Sequence, residues 1–155
     1  MAGDINKITD VDVAVFATMV KDPDVVNALD MYQHIATKTA IYPGHGTPLG
    51  LVYVALKGAG EAGEFAEHVG KAMRDDNLIS EPYTREFDDK TQIEFKDLTP
   101  DWKEKLIKEV GDQLWYISAK CNELGISLSQ AALINLKKLN GRSKAGTLGG
   151  SGDDL

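Results

Sequence analysis

Four acidic side chains, paired as Glu61-x-x-Glu64 and Glu109-x-x-Asp112, carry the strongest chemical signal in the chain. A spacing of three on a helix puts both members of a couplet on one face, so two such helices packed together bring four carboxylates to one place. Carboxylates at that density repel unless cations lie between them. A site made of oxygens alone suits a hard divalent ion, Mg²⁺ or Mn²⁺, which keeps positions open for water and substrate phosphates. The pattern therefore predicts metal-dependent phosphate chemistry. Further along, Asn135, Lys138 and Arg142 line one side of a helix and offer donors and positive charge for phosphate oxygens that the metals do not hold. Either couplet alone reads as an ordinary solvated helix face, and the Asn/Lys/Arg line as ordinary surface. Together they form a constellation.

Other candidates carry less. Trp115 lies off the apolar stripe of its helix and close to Asp112, where it either stacks on a base or packs against another helix or subunit, the commoner use of a tryptophan. His68 continues the line Lys57, Glu61, Glu64 and reads as a surface histidine rather than a ligand; His34 and His45 offer less still. Gly58-x-Gly60-x-x-Gly63 imitates a dinucleotide fingerprint after the apolar run LVYVAL, but Glu61 and Glu64 would occupy the place of the pyrophosphate and no series of strands follows. No nucleophile elbow points to a Ser-His-Asp hydrolase. A di-iron carboxylate bundle would want Glu-x-x-His couplets, and positions 64 and 112 are Glu and Asp.

Helices must position these residues. Residues 11–20 predict a short helix and 24–40 a better one, with Pro23 at its start and Pro43 beyond its end. The stretch IYPGHGTPLG, 41–50, is turn chemistry. From Leu49 to about Asp75 the residues Val52, Leu56, Ala59, Gly63, Ala66 and Met73 recur at helical spacing as an apolar stripe, opposite the Glu61 line. Thr99 as N-cap and Pro100 at the first position start a long helix that ends near Gly125, with Leu106, Val110, Leu114, Ile117, Cys121 and Leu124 as its stripe. A capping box, Ser127-x-x-Gln130, opens a last helix to about Gly141. Residues 76–98 alone have a strand-like rhythm, and Asp88-Asp89-Lys90 predicts a turn that folds Thr91–Phe95 back on Tyr83–Phe87 as a small β-hairpin within about 80–96. The segment 143–155, SKAGTLGGSGDDL, is too small and polar to bury a core and is expected to be a flexible tail. The expected fold is all-α, a bundle of four to five helices in a single domain over 1–155, with the hairpin as an insertion.

Composition bounds the partners. At 155 residues the chain has room for one ordinary core. A net charge of -7 argues against a duplex nucleic-acid or anionic-membrane surface. The single cysteine, Cys121, permits no disulfide within the chain and suits a reducing compartment. With no run long enough to span a membrane and acids at the N-terminus, the expected location is the cytoplasm.

Over residues 32 to 153 the chain resembles the MazG-like, all-α nucleoside triphosphate pyrophosphohydrolases. The resemblance rests on Tyr32-Gln33, Thr39-Ala40-x-Tyr42-Pro43, the Glu61-Ala-Gly-Glu64 block and the run Glu109-Val-Gly-Asp112-Gln-Leu-Trp115-Tyr116. It continues in Asn135-Leu-x-Lys138-Leu, Arg142 and Gly152-Asp153. It implies that Glu61, Glu64, Glu109 and Asp112 are catalytic metal ligands holding about two or three Mg²⁺ or Mn²⁺ ions. It also implies that Asn135, Lys138 and Arg142, with Trp115, contact the substrate. The implied reaction is attack of water on the α-phosphorus of an NTP or dNTP, giving the monophosphate and pyrophosphate, with Glu67 or one of the four acids taking the proton. A homodimer or homotetramer is implied, and control or cleaning of a nucleotide pool; a purine deoxynucleotide, guanine among them, is the expected substrate on no single residue's authority. The 44 residues between Glu64 and Glu109 exceed the family's compact form, which bears on substrate preference. The rival expectation is a catalytically silent helical module that binds nucleotide or a protein through the same acidic groove.

Overall fold

The computed structural model describes residues 8–25, 27–76, 83–85, 88–92 and 97–147. Among the described residues there are five α-helices, one 3₁₀ turn and a two-stranded hairpin. In order these are α1 (Asp10–Lys21), α2 (Ala28–Ala36) with the 3₁₀ turn Thr37–Thr39, α3 (Pro48–Asp75), β1 (Tyr83–Arg85), β2 (Asp88–Gln92), α4 (Pro100–Glu123) and α5 (Leu128–Ala145). The all-α expectation holds, with the hairpin as the one β element among the described residues. By contacts the chain divides into two compact units, one from Met1–Leu51 with Ser118–Leu155 and one from Val52–Ile117.

Local chemistry sets the ends of most helices. Thr9 caps α1 in a capping box, its hydroxyl accepting from the Asp12 N–H while Asp12 accepts from the Thr9 N–H. Ser127 and Gln130 cap α5 in the same way, as the sequence predicts. The Thr99 hydroxyl accepts from the Trp102 N–H at 3.4 Å, and its carbonyl from the Lys103 N–H at 3.0 Å, so α4 begins at Pro100. Two boundaries differ from the sequence reading. The helix expected over 24–40 starts only at Ala28, because the Asn27 side chain accepts from the Asp30 N–H and nucleates the helix there, while Pro23 sits in the turn before it. The last helix runs past Gly141 to Ala145. It stops at Gly146, whose φ of 70° lets the Thr147 N–H reach back to the Arg142 carbonyl. Asp10 accepts from both Asn140 and Lys144, tying the added turn of α5 to α1. Residues 148–155 of the expected tail lie outside the described residues.

The hairpin pairs Tyr83 with Gln92 and Thr84 with Thr91 in antiparallel register, with an irregularity at Thr84/Arg85. Asp88–Lys90, expected as its turn, belongs to β2 instead: Asp88 pairs with Arg85, and the register shift at Thr84/Arg85 takes up Asp89 and Lys90. Residues 93–95 of the expected second strand and 86–87 of the first lie outside the described residues.

Within the first unit, α1 and α2 both pack on α5. Gln33, almost wholly buried, fastens α2 to the α4–α5 turn. Its amide N–H₂ donates to Asn122 at 2.8 Å and to the Ile126 carbonyl at 3.1 Å, and its oxygen accepts from the Leu128 N–H at 2.6 Å. Asp30 accepts from the Ser129 N–H and hydroxyl and from Asn27. The proline- and glycine-rich turn before α3 is held by Glu123, which accepts from the Tyr42 hydroxyl at 2.5 Å and from the Gly46 N–H at 3.0 Å. Gly50 is required beside it: a Cβ there would stand 2.5 Å from the Gly44 carbonyl oxygen and 2.8 Å from the Glu123 carboxylate.

In the second unit the expected stripe of α3 is not the covered one. Val52, Leu56, Ala59, Gly63, Ala66 and Met73 are exposed, Leu56 to 70 %. The less accessible line runs Val54, Gly58, Glu61, Phe65, His68 and Ala72, at steps of four and three. Of the stripe expected on α4, Leu106 is buried while Val110 and Ile117 are exposed; in the part that belongs to the first unit Cys121 is buried, and Leu124, just past the helix end, is exposed. The physical reason is that a helix presenting chemistry to its neighbour must cover polar residues, which leaves its most apolar stripe to another surface.

Candidate functional site

Glu61 comes from the middle of α3, Glu109 and Asp112 from the middle of α4. One carboxylate oxygen of each lies within 4.8 Å of one from each of the other two. Glu109 is buried, Glu61 half-buried and Asp112 exposed. Such an arrangement has an electrostatic cost, visible at Glu61. Burial, then the charges of Glu64 and Asp112, and of Glu109, push its carboxyl above the ordinary range, with Lys57 one turn away opposing them. A second mark is Oε2 of Glu109, which is buried with no hydrogen-bond partner among the described residues. Buried carboxylate oxygens are ordinarily satisfied. A cation shared by the three acids would relieve both, and an oxygen donor set of this kind fits a hard divalent ion.

Around the cluster, Glu61 and Asp112 share a cavity of about 390 Å³ with Trp115 and Tyr116. The two rings meet edge to face, centroids 4.8 Å apart and planes at 81°. Burial raises the Tyr116 hydroxyl, and the charges of Glu61, Tyr53 and Asp112 raise it further, so it stays protonated as a donor at neutral pH.

Of the residues singled out from sequence, Glu61, Glu109 and Asp112 converge, and Trp115 stands beside them. Glu64 is exposed and outside the three-acid group, although near enough for its charge to act on Glu61. Glu67 pairs with Lys71 at 2.5 Å and is well exposed. Asn135, Lys138 and Arg142 sit on α5, in the other compact unit, where Asn135 is exposed and the other two are half-buried. His68, expected as a surface residue, is not one. Its Nδ1 is buried and lies 3.3 Å from Oε1 of Glu109, and its ring faces Trp102 at 6.2 Å. The signal that finds it is register: His68 stands seven residues, about two turns, beyond Glu61.

The family model of the MazG nucleotide pyrophosphohydrolase domain matches residues 54–147, which include all four acids and the Asn135–Arg142 helix. The chain belongs to this family. The MazG domain is an all-α fold of nucleotide pyrophosphohydrolases, as the motifs imply. The chain is also similar to the Gene 37 protein of Mycobacterium phage L5, 36 % identical over 129 residues that cover 81 % of this chain and 97 % of the phage protein. No solved structure matches. Among the described residues no helix is long and apolar enough to cross a membrane.

Proposed function

We propose that this MazG domain hydrolyses a nucleoside or deoxynucleoside triphosphate to the monophosphate and pyrophosphate. The observation that carries the reading is the convergence of Glu61, Glu109 and Asp112, one of which, Glu109, also has a buried oxygen without a partner among the described residues. These three, with Glu64 at the exposed edge, would hold Mg²⁺ or Mn²⁺, about two or three ions per site. Bound there, the metal neutralises phosphate oxygens and makes a water more acidic. The chain's own residues do the rest. Water oxygen bonds to the α-phosphorus, the bond from that phosphorus to the bridging oxygen breaks, and pyrophosphate leaves with the electron pair. A carboxylate at the site takes the water's proton. Asn135, Lys138 and Arg142 supply donors and positive charge to the phosphate chain and leaving group.

Trp115 and Tyr116 give the cavity an aromatic wall beside the acids, which suits a base or sugar placed next to the triphosphate. The apolar side chains left exposed on the second unit, Val52, Leu56 and Met73 on α3 and Ile107, Val110 and Ile117 on α4, suit coverage by a second copy of the chain, making the working form a homodimer or homotetramer. The cytoplasm, where NTPs and divalent ions meet, is the place such chemistry would act.

The deciding experiment offers the protein each common NTP and dNTP with Mg²⁺ or Mn²⁺ and separates pyrophosphate from orthophosphate. Monophosphate and pyrophosphate should form together, stop with EDTA, and identify the preferred base. Glu64→Gln, Glu109→Gln and Asp112→Asn should each lower turnover by roughly 100-fold or more while keeping the helical signal. Near-normal rates in all three would remove the reading. Binding of nucleotide without turnover would leave a silent binding module in its place.

A further inference from the structure

The imidazole beside Glu109 has no part in the four-acid reading, yet it lies 3.3 Å from the most buried of those acids. On α3, His68 lies two turns beyond Glu61 on the same face. Its Nδ1 is 3.3 Å from Oε1 of Glu109. Neither that nitrogen nor Oε2 of the same carboxylate has a hydrogen-bond partner among the described residues, and both atoms are buried. Trp102, one turn before Leu106 on α4, stands beside the ring with centroids 6.2 Å apart and planes at 56°. A buried carboxylate oxygen without a donor is costly, and so is a buried ring nitrogen without a partner. A small rotation of the ring aligns an N–H at Nδ1 with Oε1, at a distance already close to that of a hydrogen bond.

We propose that His68 is a positioning residue for the metal site: Nδ1–H holds Oε1 of Glu109 and thereby fixes the carboxylate so that Oε2 is presented to the cation shared with Glu61 and Asp112. The inference rests on the metal-site reading above. Ligating carboxylates work best when an outer partner fixes their orientation, and loss of such a partner weakens metal binding by about 10- to 100-fold. His68 touches neither substrate nor reacting atoms in this account. Its effect passes through Glu109.

The test is direct Mn²⁺ binding to the full chain without nucleotide, read from the electron paramagnetic resonance of free Mn²⁺, for the wild type, Glu109→Gln, His68→Phe and His68→Asn. Phenylalanine keeps the ring and loses the donor; asparagine places an amide N–H₂ near the position of Nδ1. His68→Phe should weaken Mn²⁺ binding about 10- to 100-fold, and His68→Asn should recover most of that loss. A role in packing alone would give the opposite order, with Phe tolerated and Asn not. If His68→Phe loses its helical circular dichroism, His68→Leu against His68→Asn makes the same comparison. Wild-type binding lost in Glu109→Gln but unchanged in the donor-less His68 variants overturns the inference and leaves the metal site standing. No binding by the wild type overturns both.

Discussion

Replacing Glu61 by Gln should make the metal-free protein more stable and the metal-loaded protein relatively less so. One oxygen of Glu61 is within 4.8 Å of one from Glu109 and one from Asp112. At that distance a pair of like charges costs about 1 kcal/mol in the dielectric of water and about 3.5 kcal/mol at an effective constant near 20. Asp112 is exposed and solvent screens its share, so removing the Glu61 charge should return about 1 to 3 kcal/mol, several degrees in melting midpoint. The direction of the Glu61 shift adds a pH signature. A carboxyl raised in the folded state favours folding most at acid pH, and that contribution is lost as pH rises from the ordinary carboxylate range through the raised value. The stability difference, Glu61→Gln minus wild type, should therefore be small near the ordinary carboxylate range and grow toward neutrality. With free Mn²⁺ at about 100 times its dissociation constant, the wild type should gain about 2.7 kcal/mol; a variant binding roughly 100-fold more weakly should gain about 0.4 kcal/mol. Thermal melts followed by circular dichroism, in chelator and in Mn²⁺, read both terms. A Glu61→Gln protein that melts below the wild type in chelator, or that gains as much from Mn²⁺, would refute the electrostatic account of the cluster.

Two further predictions concern the scaffold. Gly50→Ala should cost about 1 to 3 kcal/mol, since the new Cβ meets the Gly44 carbonyl oxygen and the Glu123 carboxylate that holds the turn; urea melts within about 0.5 kcal/mol of the wild type would show that the turn gives way freely. Asp30→Asn should cost about 1.5 to 3 kcal/mol, because a charged acceptor of the Ser129 N–H and hydroxyl becomes neutral. Burial raises the Asp30 carboxyl, but its hydrogen bonds from Ser129 and Asn27 outweigh burial and leave it lowered, so this contribution is present above the ordinary carboxylate range and lost as pH falls through the lowered value. The cost of Asp30→Asn should shrink in acid, and a cost independent of pH would mean the carboxylate's charge is not what α5 uses.

Local signals proved legible where the residue itself carries the physics. Ser127 with Gln130, Thr99 with Pro100 and Gly125 each mark a helix end that the structure keeps, because a cap is a contact between residues three or so apart. The ends that moved depend on distant partners. Asp10, 130 positions before Asn140, draws the last turn of α5 onward past Gly141, and no local pattern announces that. The buried Gln33 is the same kind of case: its three hydrogen bonds reach residues about 90 positions away, so its polar type reads as surface until the turn at 122–128 is in place.

The site was half legible for a geometric reason. Residues three apart on a helix differ by about 60° around its axis, so the two members of an acidic couplet need not be equally covered, and on α3 only Glu61 joins the cluster. Spacing gives the couplet but not which member turns inward. The covered line of α3 settles it for Glu61 over Glu64, and on α4 the burial of Glu109 beside an exposed Asp112 settles the other pair. Once Glu61 is inward, residues seven along lie only about 20° away from it. That register places His68 inward on α3, and it places Trp102 and Tyr116 on the line of Glu109 on α4, which are the residues found around the cluster. The apolar stripe of α3 misleads because it is the other face of the same register: Val52, Leu56 and Met73 are exposed in the isolated chain for the reason that Glu61 and His68 are covered. A search for apolar periodicity finds the stripe that the described residues leave exposed, and a search for chemistry seven residues along finds the face that carries the acids.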